Sequence, residues 1–250
     1  MKDSLGDRMK ENYEDRAKTY LTRRTPVIIR LDGKAFHSFT RGFRRPYDEV
    51  FHRAMSNTML YLCSNIQGCK FGYTQSDEIS LLLTDYDTLN TDAWFGYAVQ
   101  KMCSVAASMA TAAFNYYFAK EVELVGWEEQ SYISKLRQNL YFAMFDARCF
   151  NIPESEVANC FIWRQNDATR NAIRSLGQCY FSDRELHGKS NSEVQEMLMS
   201  IHGVNFNDML VAFKRGVCCV RAGLGWMIDM EPPVFTQDRE YIEKHMRVSE

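Results

Sequence analysis

The sequence predicts an α+β fold of ferredoxin-like type: a split βαβ arrangement whose antiparallel sheet carries helices on one face, followed by a helical and C-terminal extension. Three observations predict it. Strand-like runs and helix-periodic segments follow one another in the order strand, helix, strand, strand, helix, strand. The two middle strands are separated by a tight turn at Ser76-Asp77. No repeat, low-complexity tract or long Gly/Ser linker interrupts the chain, so 1–150 reads as the catalytic core and 151–250 as an extension packed on it, not an independent domain.

The elements justify themselves in order. Thr25 to Leu31 is an apolar, β-branched first strand. A helix follows from about Asp48, with Phe51, Met55, Met59 and Leu62 at helical spacing and the acidic pair Asp48-Glu49 favourably placed in its first turn. Cys69 to Gln75 and Glu78 to Thr84 alternate as strands around the turn. Ala93 to Lys120 is a long helix with Phe95, Ala98, Met102, Val105, Met109, Ala113 and Tyr117 along one stripe. A fourth strand spans roughly Tyr141 to Phe150. Further on, Asn191 to His202 is an amphipathic helix with Val194, Met197, Leu198 and Ile201 on its apolar face. Lys214-Arg215-Gly216 reads as a turn, its basic pair solvated, leading into the strand Val217-Cys218-Cys219-Val220.

Composition narrows the class. With 46% hydrophobic residues in 250, the chain can bury a full core, which excludes disorder. No run approaches the roughly 18 apolar residues of a membrane span, and the segment Met1-Lys2-Asp3-Ser4-Leu5-Gly6 is polar where a signal peptide needs an apolar core. A cytoplasmic protein with no membrane partner is expected. Eight cysteines without C-x-x-C spacing read as buried reduced thiols rather than a zinc or disulfide framework. The net charge of −2 hides an uneven distribution, because 1–60 carry 13 basic against 8 acidic side chains and 131–180 carry 6 against 4. A basic face for nucleic acid is compatible with this mildly acidic protein.

The chemistry concentrates in two acidic clusters. Asp32 closes the first strand, and Asp77-Glu78 lies at the turn into the third. In the split βαβ order the first and third strands are antiparallel neighbours, so the two clusters meet at one sheet end. Such a cluster costs several kcal/mol in repulsion unless cations offset it, and two metals roughly 3.5–4 Å apart are the usual solution in phosphoryl chemistry. Oxygen ligands suit Mg²⁺. After Asp32, Gly33-Lys34-Ala35-Phe36-His37 offers a close backbone approach and successive amides for a triphosphate, with Arg44-Arg45-Pro46 and Lys101 as sources of positive charge. Phe36 and Phe39 read equally well as core residues, and His37 as a packed or hydrogen-bonded one.

Arg30-Leu31-Asp32-Gly33-Lys34-Ala35-Phe36-His37-Ser38-Phe39, Tyr73-Thr74-Gln75-Ser76-Asp77-Glu78-Ile79-Ser80 and Phe161-Ile162-Trp163-Arg164-Gln165-Asn166-Asp167 together resemble the tRNA-histidine guanylyltransferase superfamily. The resemblance covers 25–180 and implies a polymerase-type palm that adds nucleotides to RNA 5′ ends in the 3′-to-5′ direction. It implies that Asp32, the Gly33 carbonyl and Asp77 hold two Mg²⁺ ions, with Glu78 completing the cluster. It also implies that Lys34, Ala35, Phe36 and His37 contact the triphosphate through backbone amides, joined by Arg45, Ser76 and Lys101, with Asn171 near the nucleotide. Arg45 stands where eukaryotic members have a lysine before the proline.

One departure sets the expected reaction. Eukaryotic members carry His-Ile-Asn-Asn-Leu-Tyr-Asn where this chain has Thr169-Arg170-Asn171-Ala172-Ile173-Arg174-Ser175. This pattern resembles the bacterial and archaeal type, which implies template-directed repair of tRNA 5′ ends after activation by ATP or GTP, with nucleoside triphosphates as substrates and a homotetrameric assembly. RNA contacts are expected from Arg23, Arg24, Arg148, Arg164 and Arg170. Three alternatives stay open at this level: addition of a single 5′ guanylate to tRNA-histidine, a nucleotidyl cyclase-like palm, and a catalytically silent RNA-binding module.

Overall fold

A computed structural model describes residues 4–246. The chain begins with a helical segment, α1 (Ser4–Met9) continuing in tighter and wider turns to Ala17, with no buried residue. Then come β1 (Val27–Gly33), α2 (Phe36–Phe39), α3 (Glu49–Asn65), β2 (Cys69–Gln75) and β3 (Glu78–Leu83). α4 (Val99–Glu123), α5 (Gln130–Arg137) and β4 (Phe145–Asn151) complete the ferredoxin-like core. The extension supplies α6 (Glu154–Tyr180), α7 (Asp183–Leu186), α8 (Asn191–His202), α9 (Val211–Arg215), β5 (Val217–Ala222), β6 (Gly225–Asp229) and α10 (Glu240–Glu243).

The six strands form one antiparallel sheet in the order β4-β1-β3-β2-β5-β6. Its first four members are the expected split βαβ arrangement, and β5 and β6 lengthen it at the β2 edge. Alternation along β1 decides what each face carries. Val27, Ile29 and Leu31 point to the side covered by α3 and α4, where Ala54, Met55, Met59, Leu62, Phe114 and Phe118 complete the main core. Ile28 points to the other side, against Phe71, Tyr73 and Leu82 and the α6 residues Val157, Ala158 and Phe161. The core's own two helices thus share one face, and the extension covers the opposite one. A third cluster joins the second half of α6 to α8, through Ile173, Leu176, Val194 and Leu198.

Several elements differ from expectation: β4 begins at Phe145 rather than near Tyr141, and Lys214 and Arg215 end the helix α9 instead of forming a turn. Instead of one helix from Ala93, a single 3₁₀ turn spans Trp94–Tyr97 with left-handed backbone at Phe95, Gly96 and Tyr97, and α4 begins at Val99. The cause lies far away in sequence: Leu21 N–H donates to the Tyr97 carbonyl and Val99 N–H to the Thr19 carbonyl, so this backbone is tied to the incoming chain. The buried stripe is also rotated, to Met102, Ala106, Ala110, Ala113, Phe114, Phe118 and Val122. Val105, Met109 and Tyr117 flank it, because the bulky Phe114 and Phe118 rings pack among Phe36, Phe39 and Phe43 and set which side faces inward. In α8, Val194 and Leu198 are buried as expected but Ile201 is exposed. Lys214 is buried rather than solvated, with its ammonium donating to the Asn207 carbonyl. Of the eight free thiols, Cys179 is exposed.

Candidate active site

Asp32 and Glu78 are direct cross-strand partners in β1 and β3, and Gly33 N–H donates to the Asp77 carbonyl at 3.0 Å. The neighbouring register of β2 with β3 follows from a two-residue turn, Ser76-Asp77, in which Ser76 adopts a left-handed φ of 49°. On the other side Asp32 is opposite Asp146 of β4, and Arg30 is opposite Arg148. Residues directly opposite one another share a face. Asp32, Glu78, Arg30, Asp146 and Arg148 therefore all lie on the face away from α3 and α4, at the end of the sheet that α6 crosses.

Arginines occupy this acidic centre. Arg148 Nη2 lies 2.9 Å from Asp32 Oδ2 and 3.1 Å from Asp146 Oδ1, and Arg30 Nε is 3.6 Å from Asp32. Arg164 of α6 donates through Nη2 to Glu78 Oε2 at 2.8 Å; its Nε lies 2.6 Å from Oε1 but off the hydrogen-bonding angle, so that second contact is ionic. Burial raises the Asp77 carboxyl above its ordinary pKa and the Asp32 charge adds to the rise, while the Ser76 side chain opposes it. Burial raises Glu78 likewise, with the Arg164 guanidinium opposing. Two carboxylates that feel each other's charge suit a small, hard cation. Among the described residues no three Asp, Glu, His or Cys side chains already converge on a metal-sized site. Two carboxylates and a backbone carbonyl are nevertheless the sparse set Mg²⁺ accepts, since it keeps waters and substrate phosphates as its remaining ligands.

Beside this centre lies a cavity of about 180 Å³ lined by Tyr47, Asp48, His52, Gln75, Ser76 and Asn171, among others. That is smaller than the roughly 300–1,000 Å³ of a pocket enclosing a whole ligand, and suits one end of a nucleotide. Its wall is rigid. Asp48 caps α3 by accepting from Phe51 N–H at 3.0 Å, and its other oxygen accepts from Arg44 N–H and the Tyr132 hydroxyl. Just after β1, Ala35 takes a left-handed φ of 56°, and the N–H groups of Ala35, Phe36 and His37 donate to no acceptor among the described residues.

The structure sorts the sequence-derived candidates. Asp32, Gly33, Asp77 and Glu78 come together, the 35–37 amides follow Gly33 directly in the chain, and Asn171 shares the cavity with Ser76. The Lys34 amide differs from expectation because it donates to the Met144 carbonyl at 2.8 Å. The Phe36 side chain is core, stacked on Phe39 at 4.8 Å, while His37 is exposed and bonds Ser38. Arg45 is exposed next to the cavity residue Pro46. Lys101 is not brought to this centre within one chain: it lies over the Phe95 ring at 4.5 Å, in the first turn of an α4 that packs Cys103 against Cys149, near the start of β1. Among the arginines, Arg148 and the exposed Arg170 are accessible, although Arg170 is paired with Asp167. Arg164 is buried by its bond to Glu78. Arg23 pairs with the buried Asp85 and Arg24 donates its N–H to the same carboxylate, at the opposite end of β1. Asp146 and Arg30 join this centre without having been expected from the sequence. Their signal was the period-2 alternation that places Arg30 beside Asp32, and the Asp-Ala-Arg spacing that places Asp146 beside Arg148.

Fold and site together define a palm-type nucleotidyltransferase. A sequence model described as "Thg1: tRNAHis guanylyltransferase" matches residues 6–153, more than half the chain. The protein belongs to the tRNAHis guanylyltransferase family. It is similar to a bacterial tRNA(His) guanylyltransferase (Thg1)-like protein solved in complex with ATP, at 40% identity and a TM-score of 0.87 over 97% of this chain and 99% of that one. A bacterial protein of the same description in complex with GTP matches at 39% identity, with a TM-score of 0.79 and the same coverage. Among curated relatives, the tRNA(His) guanylyltransferase of Debaryomyces hansenii is 29% identical over 213 residues, covering 79% of this chain and 74% of the relative.

Proposed function

We propose that this nucleotidyltransferase repairs tRNA 5′ ends by template-directed 3′-to-5′ addition, after activating the end with ATP or GTP. The observation that carries the reading is the convergence of Asp32 and Asp77 beside the cavity of Ser76 and Asn171. The 35–37 amides cradle the triphosphate, Arg45 adds charge beside it, and the cavity seats the base. The RNA 5′-monophosphate attacks the α-phosphorus and releases pyrophosphate; the 3′-hydroxyl of an incoming nucleoside triphosphate then attacks the activated phosphate and expels the nucleoside monophosphate. Asp32, Asp77 and the Gly33 carbonyl would hold two Mg²⁺ ions, which lower the pKa of an attacking hydroxyl and offset charge on the leaving group. Glu78 serves from behind, its charge committed to Arg164. Arg148 and Arg170 contact phosphates, and base pairing with the opposite strand selects the nucleotide. The reading includes a cytoplasmic homotetramer, a dimer of dimers.

The test supplies a 5′-truncated, 5′-phosphorylated tRNA with ATP and all four nucleotides and sequences the 5′ end. Restoration of the complementary residues is expected. A single guanylate added to tRNA-histidine regardless of template would replace this reading with the activity for which the curated relatives are named.

A further inference from the structure

Trp163 stands on α6 next to Arg164 with half its surface exposed, on the same side of the sheet as Asp32 and Glu78. The Arg164 guanidinium lies 4.3 Å from its ring centroid and that of Arg30 lies 5.6 Å away. Both are joined to the acidic centre, Arg164 to Glu78 and Arg30 to Asp32. Arg30 Nε is buried without a hydrogen-bond partner, so packing and charge, not hydrogen bonding through Nε, hold this group against the ring. Trp127 and Trp226 also carry arginines, Arg137 and Arg221, but neither of those is paired with Asp32 or Glu78.

An exposed indole packed against two guanidinium groups, each paired with a carboxylate of the acidic centre, is a rigid aromatic surface beside that centre. That combination binds single nucleotides of RNA by stacking, with little regard to base identity. Its position fits a particular nucleotide. An RNA whose 5′ phosphate reaches Asp32 must place the base of that same residue within one nucleotide's length of the phosphate. Arg148, half-exposed on Asp32, meets the phosphate from the β4 side, and Trp163 lies on the α6 side of the same carboxylates. We propose that Trp163 is a positioning residue that stacks on the nucleobase at the RNA 5′ end and so aligns its phosphate with the acidic centre. This rests on the RNA 5′ end being the substrate. Stacking explains how one site serves successive rounds of addition, because every base offers a π face whatever its sequence.

The test titrates the protein with a 5′-monophosphorylated RNA hairpin and with the same hairpin carrying an abasic 5′ residue, without ATP, following tryptophan fluorescence. The difference between wild type and Trp163→Phe isolates the Trp163 signal. Quenching of that signal by the intact RNA and its loss with the abasic RNA are expected. In steady state, Trp163→Ala should raise KM for the RNA by on the order of tenfold to a hundredfold with little change in KM for ATP, and Trp163→Phe should recover most of the loss. Equal quenching by both RNAs, or an unchanged RNA KM in Trp163→Ala, would overturn the proposal. If wild type quenches with the intact RNA alone yet extends no RNA, the repair reading fails while the stacking contact stands.

Discussion

Arg164 on α6 grips Glu78 on β3 at 2.8 and 2.6 Å, with both side chains less than a tenth exposed. The pair bolts the extension to the carboxylate face of the sheet. Removing one partner strands a buried charge, so Arg164→Ala should destabilise the protein by about 3–5 kcal/mol, measured by urea unfolding. Arg164→Met with Glu78→Leu should recover much of that loss; an additive double mutant would contradict the coupling.

Asp32 and Asp77 are separable from stability. Arg148 is half-exposed, so Asp32→Ala should shift unfolding by no more than about 1 kcal/mol. Nucleotide addition should fall by on the order of a hundredfold or more in either Asp32→Ala or Asp77→Ala. A chelator should abolish addition by the wild type, and Mg²⁺ should restore it. Gel-resolved extension of a truncated tRNA reads all of these.

Gly33 is constrained by packing as well as by its carbonyl. A Cβ there would lie 2.3 Å from Phe36 Cδ2, inside the ring cluster of Phe39, Phe51, Phe114 and Phe145. Gly33→Ala should cost about 1–3 kcal/mol by displacing that ring, visible as a lowered melting temperature. Trimming the ring in Gly33→Ala/Phe36→Leu should return part of it.

His52 gives the fold a pH dependence. It is buried against Tyr47, and burial, assisted by the Arg53 charge, pulls its pKa down to about 4. Between about pH 6.5 and 4 the unfolded chain takes up a proton that the folded state refuses, so stability falls as pH drops through this window. The loss amounts to about 3 kcal/mol. Its Nε2 has no hydrogen-bond partner, so His52→Leu should unfold in urea with a flatter pH profile and little loss at pH 7.5.

Much of the site was legible because two rules compose. Period-2 alternation assigns faces along β1 and β3, and the split βαβ order makes those strands antiparallel neighbours, so Asp32 and the Asp77-Glu78 turn could be placed at one sheet end. The residue-level pairing of Asp32 with Glu78 is a long-range contact that only the structure supplies. What stayed hidden depends on remote partners. The start of α4 is set by backbone bonds to Thr19 and Leu21, which no pattern within 93–120 encodes. Arg164 reads in sequence as a surface cation and is buried only because Glu78 faces it. Lys101 was placed with the phosphates as a helix cation and by resemblance, whereas a single chain positions it near the beginning of β1.

The turn at Ser76-Asp77 also limits how this chain can diverge. One residue gained or lost there would turn β3 over, sending Glu78, Ser80 and Leu82 toward the phenylalanine-rich interior and Ile79 and Leu81 out toward α6. Surface loops in general tolerate changes of length, but descendants of this sequence can vary the letters of that hairpin and not their number.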